Sequence, residues 1–203
     1  MKTKLVLLLC LAIASALPVF ADNLLTDPGF NIVGPSGSST SLSGINHGTN
    51  SAAANWGQWN NDATLTTTAL VNTPSPTGDN TVLQITTNGG DSGVYQLFAP
   101  GNQTGEVASV WVYVLSGQVG IGFVNTNGTY ALSPTTDSVG QWVLLNASGA
   151  GNSGEFVIYS FGGAASFYID NASIQAVPEP GSLLTFGSGL LGLAGLVRRK
   201  FSA

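Results

Sequence analysis

The chain has 203 residues, of which ten are acidic and five are basic, and its formal net charge at neutral pH is −5. The five basic residues lie only near the two ends, and the nine acidic residues between positions 22 and 177 have no Lys or Arg among them. Contacts to nucleic-acid phosphates need cations, so this composition excludes nucleic acid as a partner of the central region. Anionic polysaccharide would be repelled as well, unless calcium bridged the two.

Residues 1–21 have the three parts of a secretory signal peptide. Lys2 and Lys4 provide a basic start, and an apolar segment follows. Residues 19–21 end in Ala21, a small residue after which cleavage is expected. The pattern predicts export through the Sec translocon, followed by removal of this segment by signal peptidase. Cys10 is the one cysteine of the chain and would be removed with it, so no disulfide can stabilise the exported protein.

The region 22–176 has roughly the length of one domain with its own core. Its apolar residues occur in short β-branched and aromatic runs separated by Gly, Asn, Ser and Pro, and no helical periodicity of useful length is present. This pattern indicates an antiparallel β-sandwich rather than the disorder that low charge and many polar residues could also produce. Residues 35–54 are poor in large apolar side chains and are predicted to form a long loop. The predicted strands cover residues 82–85, 94–98, 107–115, 118–124, 141–145, 155–161 and 165–174.

Few residues of the central region suit catalysis. His47 is the only histidine, and the exported protein would have no cysteine. The side chains that a nucleophilic triad or a zinc site needs are therefore scarce. Two carboxylates suffice for glycoside hydrolysis, and Glu106 and Glu155 are the candidates for that chemistry. Each begins a predicted strand next to a glycine, which is a position typical of surface residues. The sequence therefore predicts a protein that is not an enzyme and requires no cofactor.

The C-terminal segment has an extended joint followed by an apolar run. Residues 177–181 read Val-Pro-Glu-Pro-Gly, and the uncharged residues 182–197 would form a helix about 24 Å long, slightly less than the roughly 30 Å of a bilayer core. Such a run can be a membrane helix or a buried core helix. Its glycines favour the membrane, because they weaken a helix in water and are common in lipid. The basic residues Arg198, Arg199 and Lys200 would hold residues 198–203 in the cytoplasm.

The order of these three parts resembles the PEP-CTERM sorting signal of Gram-negative bacteria that make exopolysaccharide, a tail also labelled ice-binding protein C-terminal domain. The resemblance covers residues 177–203. It implies that an exosortase recognises the tail and processes the chain near Pro178, Glu179 and Pro180. The protein would then be anchored in the inner membrane by one transmembrane helix during sorting, and would afterwards lie at the cell surface or in the extracellular matrix.

The two ends of the central region resemble a second family. Residues 23–30, Asn-Leu-Leu-Thr-Asp-Pro-Gly-Phe, and residues 167–174, Phe-Tyr-Ile-Asp-Asn-Ala-Ser-Ile, look like the first and last strands of galactose-binding-like jelly rolls, particularly carbohydrate-binding modules. The resemblance implies an all-β, antiparallel jelly-roll β-sandwich. It also implies a structural calcium between the two strands, at the positions of Asn31 and Asp170. Asn31 replaces the acidic residue usual in the family, so Asp170 is either a calcium ligand or a surface carboxylate without metal.

Sugar binding needs an exposed aromatic face that stacks on a pyranose ring. Trp111 and Trp142 lie within apolar runs and are predicted to be core residues. Trp56 and Trp59 lie among amide side chains and have two interpretations, packing in the core or stacking on a ligand. Trp59 is the better ligand candidate, and Trp56 and Tyr130, which follows a turn, complete the predicted sugar-binding set.

Two functions follow from these features. The first is a non-catalytic protein that is sorted to the cell envelope and binds carbohydrate in an exopolysaccharide or biofilm matrix. The second is a structural matrix or surface protein without a small ligand, in which the sandwich is a spacer and its aromatic residues all belong to the core.

Overall fold

The computed structural model describes most of residues 22–177, which form one compact unit. The predicted signal peptide, and the sorting signal from residue 178 onward apart from Gly189, lie outside the described residues. Within the described part of the chain, no helix has the length and the apolar character needed to cross a membrane. The described ranges are 22–34, 39–43, 46–48, 51–61, 64–99, 105–125, 130–149, 153–177 and residue 189, with side chains at all positions except 39–43, 46, 47, 130, 132 and 133.

The described residues of this unit form an all-β sandwich of two six-stranded sheets. The first sheet has the strand order β1-β4-β5-β12-β7-β10, and the second has the order β2-β3-β6-β11-β8-β9. Every pair of neighbouring strands is antiparallel. The strands are β1 (Ser39–Ser43), β2 (Asn46–Gly48), β3 (Gly57–Asn60), β4 (Leu65–Asn72), β5 (Thr81–Thr87), β6 (Gly93–Leu97), β7 (Glu106–Ser116), β8 (Val119–Asn125), β9 (Tyr130–Thr136), β10 (Trp142–Gly149), β11 (Ser153–Ser160) and β12 (Ala165–Ala176).

Alternation of side chains along each strand produces the core. On β7, Val110, Val112 and Val114 are fully buried between the sheets, whereas Trp111 and Tyr113 lie on the outer face. The largest rings of the core come from both sheets and from the segments that precede β3. Each fully buried side chain of this size contributes about 1.5–3 kcal/mol of transfer free energy. The largest core rings are those of Phe30, Trp56, Phe123, Phe156 and Phe167.

The segment 23–30, expected to be the first strand, is a series of bends and turns. It nevertheless lies beside the last strand: the Leu24 N–H donates to Ile174 O over 2.9 Å, and the Ala172 N–H donates to Pro28 O over 2.8 Å. Asp27 and Phe30 have positive φ angles, which a regular strand cannot contain. The expected neighbourhood of the two ends is therefore present, but the expected strand is not.

Residues 35–54, expected to be a long loop, contain β1 and β2. β1 is rich in Ser and Thr and pairs with β4, in which Thr66, Thr67 and Thr68 follow one another. Hydroxyl side chains suit an edge strand as well as a loop. The scarcity of large apolar residues therefore misled the prediction.

Trp111 and Trp142 were expected in the core, and both are partly exposed on the outer face of the first sheet. The core side of their strands is filled by smaller residues such as Val112 and Leu145. Apolar sequence context predicted the strands correctly, but it did not predict which side of the sheet the indoles occupy.

Candidate functional site

The outer face of the second sheet carries a small aromatic cluster, which we call the Trp59 face. Tyr95 on β6 and Val157 and Tyr159 on β11 are buried together there, and Trp59 on β3 packs against them while remaining partly exposed. Val124 on β8 contacts the same cluster. The sandwich core lies on the opposite side of this sheet, so the cluster is a separate apolar patch on the outside.

Glycines in neighbouring strands make room for the two tyrosine rings. A Cβ atom at Gly57 would collide with the ring of Tyr95, and a Cβ atom at Gly120 would lie 2.7 Å from Cζ of Tyr159. Gly57 pairs with Tyr95 in register, and Gly120 pairs with Tyr159. Each ring therefore lies against a stretch of backbone that bears no side chain, and the face has a tight floor beneath Trp59.

Burial and nearby carboxylates set the electrostatics of this face. Burial raises the pKa of Tyr95, and the negative charge of Glu155 raises it further. Burial also raises the pKa of Tyr159, with a smaller contribution from Asp91. Both phenols are neutral at neutral pH, and their environment combines apolar ring surface with hydroxyl and carboxylate oxygens. Such a combination can stack on a sugar ring and bind its hydroxyl groups.

Trp56, one of the predicted sugar-binding residues, lies in the core. Only 1 % of its surface is exposed, and its ring packs on Phe30 with the centroids 4.9 Å apart. The indole N–H donates to Asp27 O over 3.1 Å. The ring has no free face for a sugar, so this position corrects the expectation that Trp56 contributes to binding.

Tyr130 begins β9, where its backbone pairs with Val124 of the neighbouring β8. Its side chain lies outside the described part of the structure, so its sugar-binding role stays a prediction. Sequence reasoning missed Tyr95 and Tyr159 as members of this face. Their cross-strand partners Gly57 and Gly120 were the available signal, but the pairing could not be known from one sequence.

Asn31 and Asp170, the predicted calcium positions, each have a hydrogen-bond partner in the loop between β4 and β5, residues 73–80. A side-chain hydrogen bond from Asn31 is the largest cause of a lowered pKa at Asp79. Thr77 Oγ1 donates to Asp170 Oδ2 over 2.6 Å, and the Asn171 N–H donates to Asp170 Oδ1 over 2.7 Å.

Protein donors therefore already occupy both oxygens of the buried Asp170 carboxylate. Among the described residues, no three His, Cys, Asp or Glu side chains are grouped as a metal site would require. The donor set does not match the acidic pair that a calcium site of this kind would use. Calcium binding by Asn31 and Asp170 stays a prediction from sequence resemblance.

Glu106 was expected at the surface and is instead buried, with 1 % of its surface exposed. It lies on the core side of β7, where Ser153 Oγ donates to Glu106 Oε2 over 3.1 Å. Glu155 lies on the opposite, outer side of β11, next to the core residue Phe156. The two carboxylates are thus separated by the second sheet.

Comparison with protein families supports the prediction for the tail. Residues 176–200 match the PEP-CTERM protein-sorting motif, which includes Pro178, Glu179, Pro180 and the basic residues Arg198, Arg199 and Lys200. The motif implies export and a membrane-anchored sorting signal. A comparison with curated protein sequences finds no match.

Solved structures similar to the sandwich include carbohydrate-binding modules with jelly-roll folds. The CBM22-1 xylan-binding domain of Paenibacillus barcinonensis Xyn10C has a TM-score of 0.51 and 16 % identity, covering 79 % of this chain and 97 % of that domain. TmCBM61, solved with β-1,4-galactotriose, has a TM-score of 0.49 and 10 % identity, covering 77 % of this chain and 100 % of that one. The family 11 module of Clostridium thermocellum, solved with a mixed-linked tetrasaccharide, has a TM-score of 0.46 and 10 % identity, covering 70 % and 97 %. At 16 % identity, the likeness to the xylan-binding domain concerns the fold alone.

Proposed function

We propose that this chain is an exported, non-catalytic protein that binds neutral carbohydrate through the Trp59 face. An exosortase would sort it by its C-terminal signal, and it would act in an exopolysaccharide or biofilm matrix at the cell surface. The observation that carries the proposal is the partly exposed indole of Trp59, held on a floor of buried Tyr95, Val157 and Tyr159. A ring fixed in this way loses little conformational entropy when a ligand stacks on it.

The charge of the domain supports an uncharged ligand. The region 22–177 has nine carboxylates and no Lys or Arg. Glu155 and Asp91 are close enough to the Trp59 face to raise the pKa values of Tyr95 and Tyr159. These carboxylates can accept hydrogen bonds from sugar hydroxyls and would repel uronic acids or sulfated sugars.

The positions of the acidic residues support a non-catalytic role. Hydrolysis of a glycosidic bond requires two carboxyl groups that flank the bond from within one cleft. Glu106 lies on the core side of its sheet with Ser153, whereas Glu155 lies on an outer face. The two side chains cannot flank one sugar linkage.

One observation favours the second candidate function, a structural spacer without a ligand. Tyr95 is only 8 % exposed and Tyr159 only 2 % exposed, so these rings behave as packing residues although they lie outside the main core. If Trp59 only seals this small cluster, the domain needs no ligand.

The deciding experiment is a titration of the full-length protein in detergent micelles with neutral oligosaccharides derived from xylan, mixed-linked glucan and β-1,4-galactan. Intrinsic tryptophan fluorescence and calorimetry would be followed. We expect saturable binding that weakens at least tenfold in Trp59→Ala and is partly restored in Trp59→Phe, which keeps an aromatic face. An oligosaccharide of uronic acids is the matched control and should not bind. Identical binding by the wild type and Trp59→Ala, or no response to any neutral sugar, would reject the proposal and favour the spacer.

A further inference from the structure

The outer face of the first sheet carries a row of aromatic side chains that crosses three adjacent strands. Trp142 on β10 pairs in register with Tyr113 on β7, which pairs with Tyr168 on β12. The ring centroids of Trp142 and Tyr113 are 5.5 Å apart, and those of Tyr113 and Tyr168 are 5.9 Å apart. All three side chains are partly exposed. Adjacent strands are about 4.8 Å apart, so the row is about 10 Å long.

A band of hydroxyl groups runs beside this row and includes Ser166 on β12, two residues from Tyr168. Thr86 on β5 pairs with Ser166 on β12, and their side-chain oxygens are 3.0 Å apart. The band continues to Thr67 on β4 and to Ser116 on β7. All four side chains are at least partly exposed, so hydroxyl donors and acceptors border one side of the rings.

The β4–β5 loop, residues 73–80, borders the other side. The indole N–H of Trp142 donates to Pro74 O over 3.3 Å, and Thr77 donates to Asp170 on β12. The loop therefore extends over the outer face as far as the indole ring of Trp142. The rings, the hydroxyl band and the loop together form a strip across the strands, which we call the Tyr113 face.

We propose that the Tyr113 face is a second binding site, for an extended chain of a neutral polysaccharide, on the opposite side of the sandwich from the Trp59 face. Rings in a row can contact successive apolar faces of a sugar chain, and the neighbouring hydroxyl groups can bind its substituents. The rings and the hydroxyl band carry no charged side chain, and the carboxylates of Asp79 and Asp170 lie only on the loop side of the strip. A second copy of this chain is a poorer occupant, because each sandwich carries nine carboxylates and no Lys or Arg to oppose them.

The site stands on its own geometry, but one consequence rests on the proposed function of the Trp59 face. With binding sites on both outer faces, one molecule would connect two polysaccharide chains. Such a protein would cross-link a matrix rather than merely adhere to it.

The test is co-sedimentation of the full-length protein in detergent micelles with insoluble xylan and insoluble mixed-linked glucan, together with calorimetry using short oligosaccharides. Five proteins are compared: the wild type, the double variant Tyr113→Ala/Tyr168→Ala, Thr86→Glu, Trp59→Ala, and the control Val107→Ala. Val107 is an exposed residue on the same strand and the same side as Tyr113, at the far end of β7. Thr86→Glu is a second probe, since it puts a charge on an exposed position of the strip without removing a ring.

We expect the double variant and Thr86→Glu to bind the insoluble polymer about tenfold more weakly than Val107→Ala, with the oligosaccharide affinity of the Trp59 face unchanged. Polymer binding equal to the control in both Thr86→Glu and a folded double variant would overturn the second site while leaving the proposed function intact. Loss of polymer binding in these variants, with no effect of Trp59→Ala on any sugar, would retain the second site and reject the Trp59 face.

Discussion

Both outer faces of the sandwich carry aromatic residues, but the rings are buried to different extents. On the second sheet, Tyr95 and Tyr159 lie over glycines of neighbouring strands and are almost fully buried, and Trp59 covers them. On the first sheet, Tyr113 and Tyr168 have side chains as neighbours and remain partly exposed. The comparison indicates that the residue on the neighbouring strand sets how deeply an outward ring is buried. A ring beside glycine lies against the backbone and is buried, whereas a ring beside a larger side chain stays partly exposed.

The polar groups beside the tyrosines of the two faces differ as well. Glu155 and Asp91 lie near the tyrosines of the Trp59 face, whereas hydroxyl groups such as those of Thr86 and Ser166 border the Tyr113 face. A carboxylate can fix an individual sugar hydroxyl, which suits a short ligand held in one place. A row of hydroxyls offers many equivalent contacts, which suits a long chain.

The largest effect is expected from Trp56, the tryptophan of the core. Trp56→Ala removes a fully buried ring from the core and should lower the free energy of unfolding by about 3–5 kcal/mol. Trp59→Ala removes a partly exposed ring and should cost about 1 kcal/mol. Urea denaturation of both variants measures the difference. Equal losses would contradict the division between core and face.

A smaller effect is expected from the buried phenols of the Trp59 face. Burial raises the pKa values of Tyr95 and Tyr159 in the folded protein above the ordinary value near 10. The unfolded chain therefore ionises first, so this contribution to stability is complete below about pH 10 and is lost as the pH rises toward the folded-state pKa values.

The free energy of unfolding, measured between pH 8 and pH 11, should fall above about pH 10. The double variant Tyr95→Phe/Tyr159→Phe should lose part of this pH dependence, since phenylalanine has no proton to release. An unchanged slope in that variant would show that the two phenols ionise normally and are not held in an apolar floor.

Sequence patterns predicted the strands that have an apolar core side and failed where that signal was weak. The seven predicted strands correspond to β5, β6, β7, β8, β10, β11 and β12, and these predictions are confirmed. β1 is built largely from Ser and Thr, and β4 contains three consecutive threonines, so their pairing depends on backbone hydrogen bonds and on neighbours that one sequence does not reveal.

The candidate site was less predictable than the fold. Trp56 and Trp59 have similar sequence surroundings, but only Trp59 belongs to a strand, and only Trp56 has the positive-φ residue Asn55 directly before it. Trp111 was wrongly expected in the core, because an apolar strand has two sides and composition does not tell them apart. Register decides these questions, and register comes from the whole sheet.

The most direct test of the Trp59 face is oxidation of the tryptophans by N-bromosuccinimide, followed by peptide mapping in a mass spectrometer, with and without saturating neutral oligosaccharide. The four indoles are read separately in one experiment. Trp56 should resist oxidation in both samples, because it is buried. We expect Trp59 to react in the free protein and to be protected by the sugar. Oxidation of Trp59 at the same rate with and without every neutral sugar tested would contradict the account.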